Sequence, residues 1–105
     1  MIEIASIVES IEANRVMITD HADEEAYNDS LSFNDILRSI SAGEIIEQYP
    51  EDKPYPSCLI LSGNVKAEPI HTVWAYNSET QASVLVTVYR PDPKHWIDGK
   101  TRRSQ

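Results

Sequence analysis

Apolar residues recur first at a helical period and then, from about residue 44, at a period of two. Ile4, Ile7, Val8 and Ile11 share one side of a helix over residues 2–13, with Glu3, Glu9 and Glu12 elsewhere on the turn. That amphipathic stripe requires a cover, from the sheet or from a partner chain. Val16, Met17 and Ile18 read as a short connector. Thr19 or Asp20 can cap a second helix over 20–29, with Asp23, Glu24 and Glu25 where the helix dipole favours negative charge. Its apolar face, Ala22, Ala26 and Tyr27, is thin. A third helix is expected after Ser32 as cap, with Asp35 answering it and Leu31 and Ile36 spaced as a hydrophobic staple. Phe33, Ile36, Leu37 and Ile40 form its buried stripe, and Gly43 follows where a left-handed cap ends a helix.

The second half predicts four strands. Glu44 to Tyr49 is the first, and the proline-rich Pro50 to Pro56 is a rigid loop. Ser57 to Ser62 is apolar inside and therefore expected in the interior of the sheet. The runs 69–77 and 82–90 flank the polar break Ser78 to Gln81 as a hairpin. Simple alternation puts Val84, Val86 and Val88 on one face of the last strand, and Leu85, Thr87 and Tyr89 on the other. Pro91 and Pro93 stop the ladder. Trp96 and Ile97 are expected to fold back as an apolar latch, and residues 98–105 to fray. The order predicts one α+β domain over 1–105: two to three N-terminal helices on one face of a four-stranded, mainly antiparallel sheet.

Charge narrows the partners. Asp and Glu number 17 against 9 Lys and Arg, a formal net charge of -8, so nucleic-acid phosphate is repelled unless the cations gather on one surface. They do gather in sequence: Arg90, Lys94, Lys100, Arg102 and Arg103 close the chain. The single cysteine, Cys58, allows no internal disulfide and no multi-cysteine zinc site. In its apolar run it reads as a buried structural thiol. No apolar run is long enough to cross a membrane, and the start has no signal-peptide pattern, so a cytoplasmic protein is expected.

Four residues are candidates for chemistry. His21 begins the second helix, whose dipole favours a neutral ring able to act as a base, while Asp20, Glu24 and Glu25 favour the cation. The alternative is a helix-start histidine bonded to backbone. His71 alternates with Val73 and Ala75 in the third strand, as a site residue or a satisfied core ring. Tyr89 and Arg90 end the fourth strand on opposite faces, and hairpin pairing brings Tyr89 towards His71. Metal-free RNA cleavage needs a base for the 2′-hydroxyl, a cation for the phosphorane and an acid for the leaving oxygen, which His, Arg and Tyr can share. This role requires His71 and Tyr89 to face a common open surface. Trp74, Tyr76, Tyr55 and Trp96 can stack bases or pack. His95 reads as surface. The histidines lack metal spacing, and no Gly-rich phosphate loop or G-x-S-x-G elbow is present, so neither a metal nor a cofactor is expected.

The segments Thr19-Asp20-His21-Ala22, Ile45 to Pro50, Pro54 to Leu59, Pro69-Ile70-His71 and Thr87 to Pro93 with Trp96 resemble a bacterial family of small proteins. That family is grouped with RelE-like toxins in the barnase/EndoU/colicin/RelE ribonuclease superfamily. The resemblance covers roughly residues 18–103. It implies a RelE- or MqsR-like fold over 18–97, with His21, His71 and Tyr89 as functional positions. It also implies a small zinc-finger antitoxin-like partner and mRNA or the ribosome as target. Where relatives follow the helix-start histidine with arginines, this chain has Asp23, Glu24 and Glu25. The expectation is therefore a toxin-like, metal-independent endoribonuclease. The alternative is a non-catalytic module of the same fold that binds a protein partner or self-associates, the first helix being the expected homodimer surface.

Overall fold

The two periodicities become two layers, with a third, smaller element on the far side of the sheet. The computed structural model describes residues 1–64 and 66–104. Helices α1 (Ile4–Glu12), α2 (Asp20–Asn28) and α3 (Phe33–Ser39) precede strands β2 (Glu44–Tyr49), β3 (Ser57–Gly63), β4 (Pro69–Asn77) and β5 (Ala82–Tyr89). The expected antiparallel meander is present: β2 pairs β3, β3 pairs β4, and β4 pairs β5. The sheet nevertheless has five strands. Val16–Ile18 is not a connector but strand β1, lying parallel to β5 in the order β1-β5-β4-β3-β2. Three residues are too short for a clear alternation, and their partner Ser83 is remote in sequence.

All helices pack on one face. Ile7, Ala22, Ala26, Ile36 and Ile40 meet Cys58, Ile60, Ile70, Trp74, Leu85 and Val88 there. The stripe of α1 is covered within the chain: Ile7 is fully buried, and Ile4, Val8 and Ile11 pack against the core. Burial also pushes the Cys58 thiol up to about 12, as befits a structural cysteine. Ala22 and Ala26 are buried because α2 lies close on the sheet, which is why its apolar face is built of small residues.

Three local expectations fail for identifiable reasons. Gly43 is extended (φ -84, ψ 177), not left-handed, because α3 tightens into a 3-10 turn at Ile40–Ala42 instead of ending on a cap. What requires glycine is space, since a Cβ there would stand 2.9 Å from Ile60 Cγ2. Ser32 occupies the cap position of α3 but makes no side-chain cap hydrogen bond. In β5 the register slips by one between Val73 and Trp74 of its partner, leaving Val86 as a bulge. Leu85 and Val88 consequently share the helix face opposite Trp74 and Thr72, and the alternation of three valines is broken.

The bulge is held from α2. Thr19 Oγ1 accepts from Ala22 N–H at 3.0 Å and donates to the Val86 carbonyl at 2.9 Å, so one hydroxyl caps a helix and satisfies the strand. Thr19→Ala is expected to cost about 1–2 kcal/mol, read as a lowered urea midpoint, with Thr19→Ser recovering most of it.

The tail expected to fray from residue 98 is instead built into a hairpin of β6 (Trp96–Ile97) and β7 (Thr101–Arg102), a separate two-stranded sheet; Gln105 lies outside the described residues. Trp96 is buried as the expected latch, whereas Ile97 is exposed. No helix among the described residues is long and apolar enough to cross a membrane.

Candidate active site

The sheet face away from the helices carries a polar row contributed by β2, β4 and β5. Registers place Glu47 opposite Leu59, Leu59 opposite Val73, and His71 between Leu61 and Tyr89. Cross-strand partners share a face, so Glu47, Tyr49, His71 and Tyr89 point to the same side. The β6–β7 hairpin, here called the strap (residues 96–102), lies over that row.

His71 is the centre. Its ring is fully buried, and both nitrogens are satisfied: Nδ1 lies 3.0 Å from Tyr89 Oη and Nε2 lies 2.5 Å from the Gly99 carbonyl. A carbonyl only accepts, so Nε2 carries the proton and Nδ1 accepts from the Tyr89 hydroxyl. The Trp96 ring meets His71 edge-on at 4.4 Å. Arg102 then stacks on Trp96, with its guanidinium carbon 4.6 Å from the ring centre, and donates to Glu47 at 2.7 and 3.1 Å. The Tyr49 hydroxyl donates to the same Glu47 carboxylate.

Each of these groups is shifted by its surroundings. Burial holds the His71 imidazolium below its usual 6.5, against the opposing pull of the Gly99 carbonyl and Glu47. The Arg102 hydrogen bond holds the Glu47 carboxyl below its usual range. Burial pushes the Tyr89 phenol up, and burial with Glu47 pushes Tyr49 up to about 12. Near neutrality the row is therefore a neutral imidazole, two phenols, a carboxylate and a guanidinium. An imidazole with a free base form, a phenol oriented on it and an adjacent cation can transfer a proton and bind an anion without a metal. Among the described residues no cluster of three or more His, Cys, Asp or Glu side chains stands ready to hold a metal.

The depressed His71 value has a consequence for stability. Below about pH 6.5 the unfolded chain takes up a proton that the folded ring refuses. Stability is thus fully present above the unfolded value and declines as pH falls through the folded one. Glu47, also depressed, adds a further decline below its usual 4.5. The urea midpoint is expected to drop between about pH 7.5 and about pH 5.5, and the drop to shrink in His71→Gln.

The four residues singled out from the sequence fall in three places. His71 and Tyr89 meet as expected, on one face, but that surface is closed by the strap rather than open. Arg90 leaves β5 on the helix side, where it donates to Glu68 at 3.3 Å and to the Asp29 carbonyl at 3.2 Å. There it borders a cleft of about 290 Å³ beneath α3. His21 is largely exposed and lies 3.2 Å from Glu25, one turn on. That carboxylate accepts the Val88 N–H at 3.1 Å, where β1 has ended and β5 would otherwise present an open edge. Trp74 and Tyr76 are packing residues, with Trp74 fully buried and its N–H donated to Thr72.

Sequence reasoning passed over Glu47, Tyr49 and Arg102 as site members. Glu47 and Tyr49 alternate in β2, a signal compatible with any half-exposed strand. Arg102 belongs to the C-terminal cations, and only the return of the strap puts it on Glu47.

A family model described as "Domain of unknown function (DUF4258)" matches residues 18–90. Comparison with curated proteins and with solved structures gives no match.

Proposed function

The chain belongs to the DUF4258 family, and from the geometry of its sheet face we propose that it is a RelE-like, metal-independent endoribonuclease of toxin type. The observation that carries this reading is the hydrogen-bonded His71–Tyr89 pair beside Glu47 and Arg102 on one face of the sheet. Helices on one face of a mostly antiparallel sheet support the RelE-like arrangement. So does the resemblance of the Pro54–Leu59 and Thr87–Pro93 segments.

With the strap lifted from Nε2, neutral His71 carries its proton on Nδ1, donated to Tyr89 Oη, and the bare Nε2 takes the proton of a 2′-hydroxyl as that oxygen bonds to the adjacent phosphorus. It returns the proton to the 5′ oxygen as the P–O5′ bond breaks, leaving a 2′,3′-cyclic phosphate and a 5′-hydroxyl. Tyr89 orients the ring through Nδ1. Arg102 takes the phosphorane contact assigned from the sequence to Arg90, whose guanidinium is engaged with Glu68 and Asp29. The location is cytoplasmic, and the partner is a small zinc-finger antitoxin-like protein.

Purified protein incubated with mRNA, alone and on ribosomes, is expected to cleave it in the presence of chelator. His71→Ala is expected to slow cleavage by about 100-fold or more. Absence of cleavage in both settings, with no growth arrest on expression, overturns the reading.

A second reading, a non-catalytic interaction module, draws on a different surface. Met17 on the edge strand β1 and Tyr27 on α2 are exposed, at 70% and 84%, and α2 is rich in carboxylates. A basic protein partner, or self-association, fits this module; α1, whose apolar stripe the chain itself covers, no longer supplies the expected homodimer surface. Strictly monomeric sedimentation without capture of any basic partner removes it.

A further inference from the structure

The strap is attached to the domain in an unusual way. Among the described residues, every backbone–backbone hydrogen bond made by residues 94–103 has its partner within 92–103: His95 and Trp96 to Asp92, Lys100 to Ile97, Arg103 to His95, and the β6–β7 ladder. It adds no strand to the five-stranded sheet. Its ties to the sheet are side-chain ties. Trp96 is buried, the Gly99 carbonyl meets His71, and two ion pairs join it to β2: Lys100 with Glu44 at 3.1 Å and Arg102 with Glu47 at 2.7 Å. Lys100 and Glu44 are both exposed, so that pair contributes no more than about 1 kcal/mol and weakens with salt; in the second pair Arg102 is exposed and Glu47 is half-buried.

The contact at its centre is specific. Gly99 sits at φ 72, and a Cβ there would stand 3.0 Å from Pro69 Cβ, so glycine is needed for its carbonyl to reach the ring. His71, Tyr89, Glu44 and Glu47 all lie inside the stretch matched by the family model, and the strap lies beyond it.

We propose that the strap is an internal occupant of an anion-binding site, in which the Gly99 carbonyl takes the His71 N–H that a phosphodiester oxygen of single-stranded nucleic acid takes when the strap is lifted. A carbonyl and a phosphoryl oxygen are equivalent acceptors for that N–H. The strap's own cations complete the exchange. Lys100 and Arg102 are neutralised by Glu44 and Glu47 in the closed form, and a polyanion competes for them as it binds. Closure therefore holds the site inactive, and the substrate class itself opens it. The inference rests on the phosphodiester site proposed above, and its test separates the two.

Carbethoxylation by diethyl pyrocarbonate, read residue by residue by mass spectrometry, reports opening, with exposed His21 and His95 as internal references. In the native chain His71 is expected to react at least about tenfold more slowly than both. Trp96→Ala is expected to bring it to their rate while far-UV circular dichroism shows the sheet intact. The same variant is expected to bind fluorescent oligothymidylate about tenfold more tightly than the native chain, and Trp96→Ala with His71→Ala to lose that gain. Oligothymidylate lacks the 2′-hydroxyl, so binding is read without cleavage. If Trp96→Ala does not fold, Gly99→Ala, which strains the strap at φ 72 and leaves every side chain of the row in place, carries the same measurements.

His71 remaining protected in a folded strap variant overturns the inference, as does an opened His71 with no tighter oligothymidylate binding. An opened, tighter-binding variant that leaves RNA uncleaved upholds the inference and removes the nuclease reading alone.

Discussion

Trp74→Ala is expected to lower the unfolding free energy by about 3–5 kcal/mol, the largest loss from any single side chain here. Trp74 is fully buried at the middle of β4, between Cys58 of β3 and Leu85 of β5. It faces the helices, so truncation opens a void lined by both layers at once. Its N–H is donated to Thr72 Oγ1 at 2.9 Å, so an apolar replacement also strands a hydroxyl. A domain of this size is stable by about 5–15 kcal/mol, so the loss takes a large share of that margin and is expected to lower Tm by more than about 10 °C. The urea midpoint followed by far-UV circular dichroism reads the effect. A loss under about 1 kcal/mol would mean that the core is centred elsewhere.

The second large effect separates two meanings of the Thr19-Asp20-His21 segment. Glu25→Ala is expected to destabilise the fold by about 2–3 kcal/mol, because Val88 is buried and its N–H loses a charged acceptor where β1 no longer reaches. Glu25→Gln keeps an acceptor oxygen and is expected to retain more than half of that. His21→Ala removes only the exposed partner of the same carboxylate, and should cost under about 0.5 kcal/mol and leave RNA cleavage unchanged. If His21→Ala abolished cleavage while Glu25→Ala left stability unchanged, His21 would be a site residue rather than a structural neighbour of Glu25.

The acidic run after His21 illustrates how far the sequence carries. In the sequence Glu25 reads only as one carboxylate of an acidic run beside His21. In the fold that carboxylate holds a strand edge. The helices, the meander and the His71–Tyr89 encounter were legible, because each is encoded by a local period or by hairpin register. β1 was not, since a three-residue strand is defined by a partner outside any local window. The bulge at Val86 was hidden for a related reason: nothing in a valine alternation marks where the register slips, and Thr19, which binds it, comes from another element. The strap was half legible. Trp96 announced a latch, but polar residues after it concealed that Gly99 and Arg102 complete the contact.

The parallel pairing of β1 with β5 also sets a timetable. Thr19 finds its strand partner Val86 only 67 positions further along the chain. During synthesis, the first two helices leave the ribosome well before the strand that α2 and β1 pack on. Until then Ile7, Ala22 and Ala26 have no sheet to bury against, and nascent helicity is all that the segment can hold. Closing so distant a pair comes late and makes folding slow relative to helical proteins of similar length. For that interval the growing chain presents an apolar helix face to its surroundings, which is the state in which a chaperone would meet it.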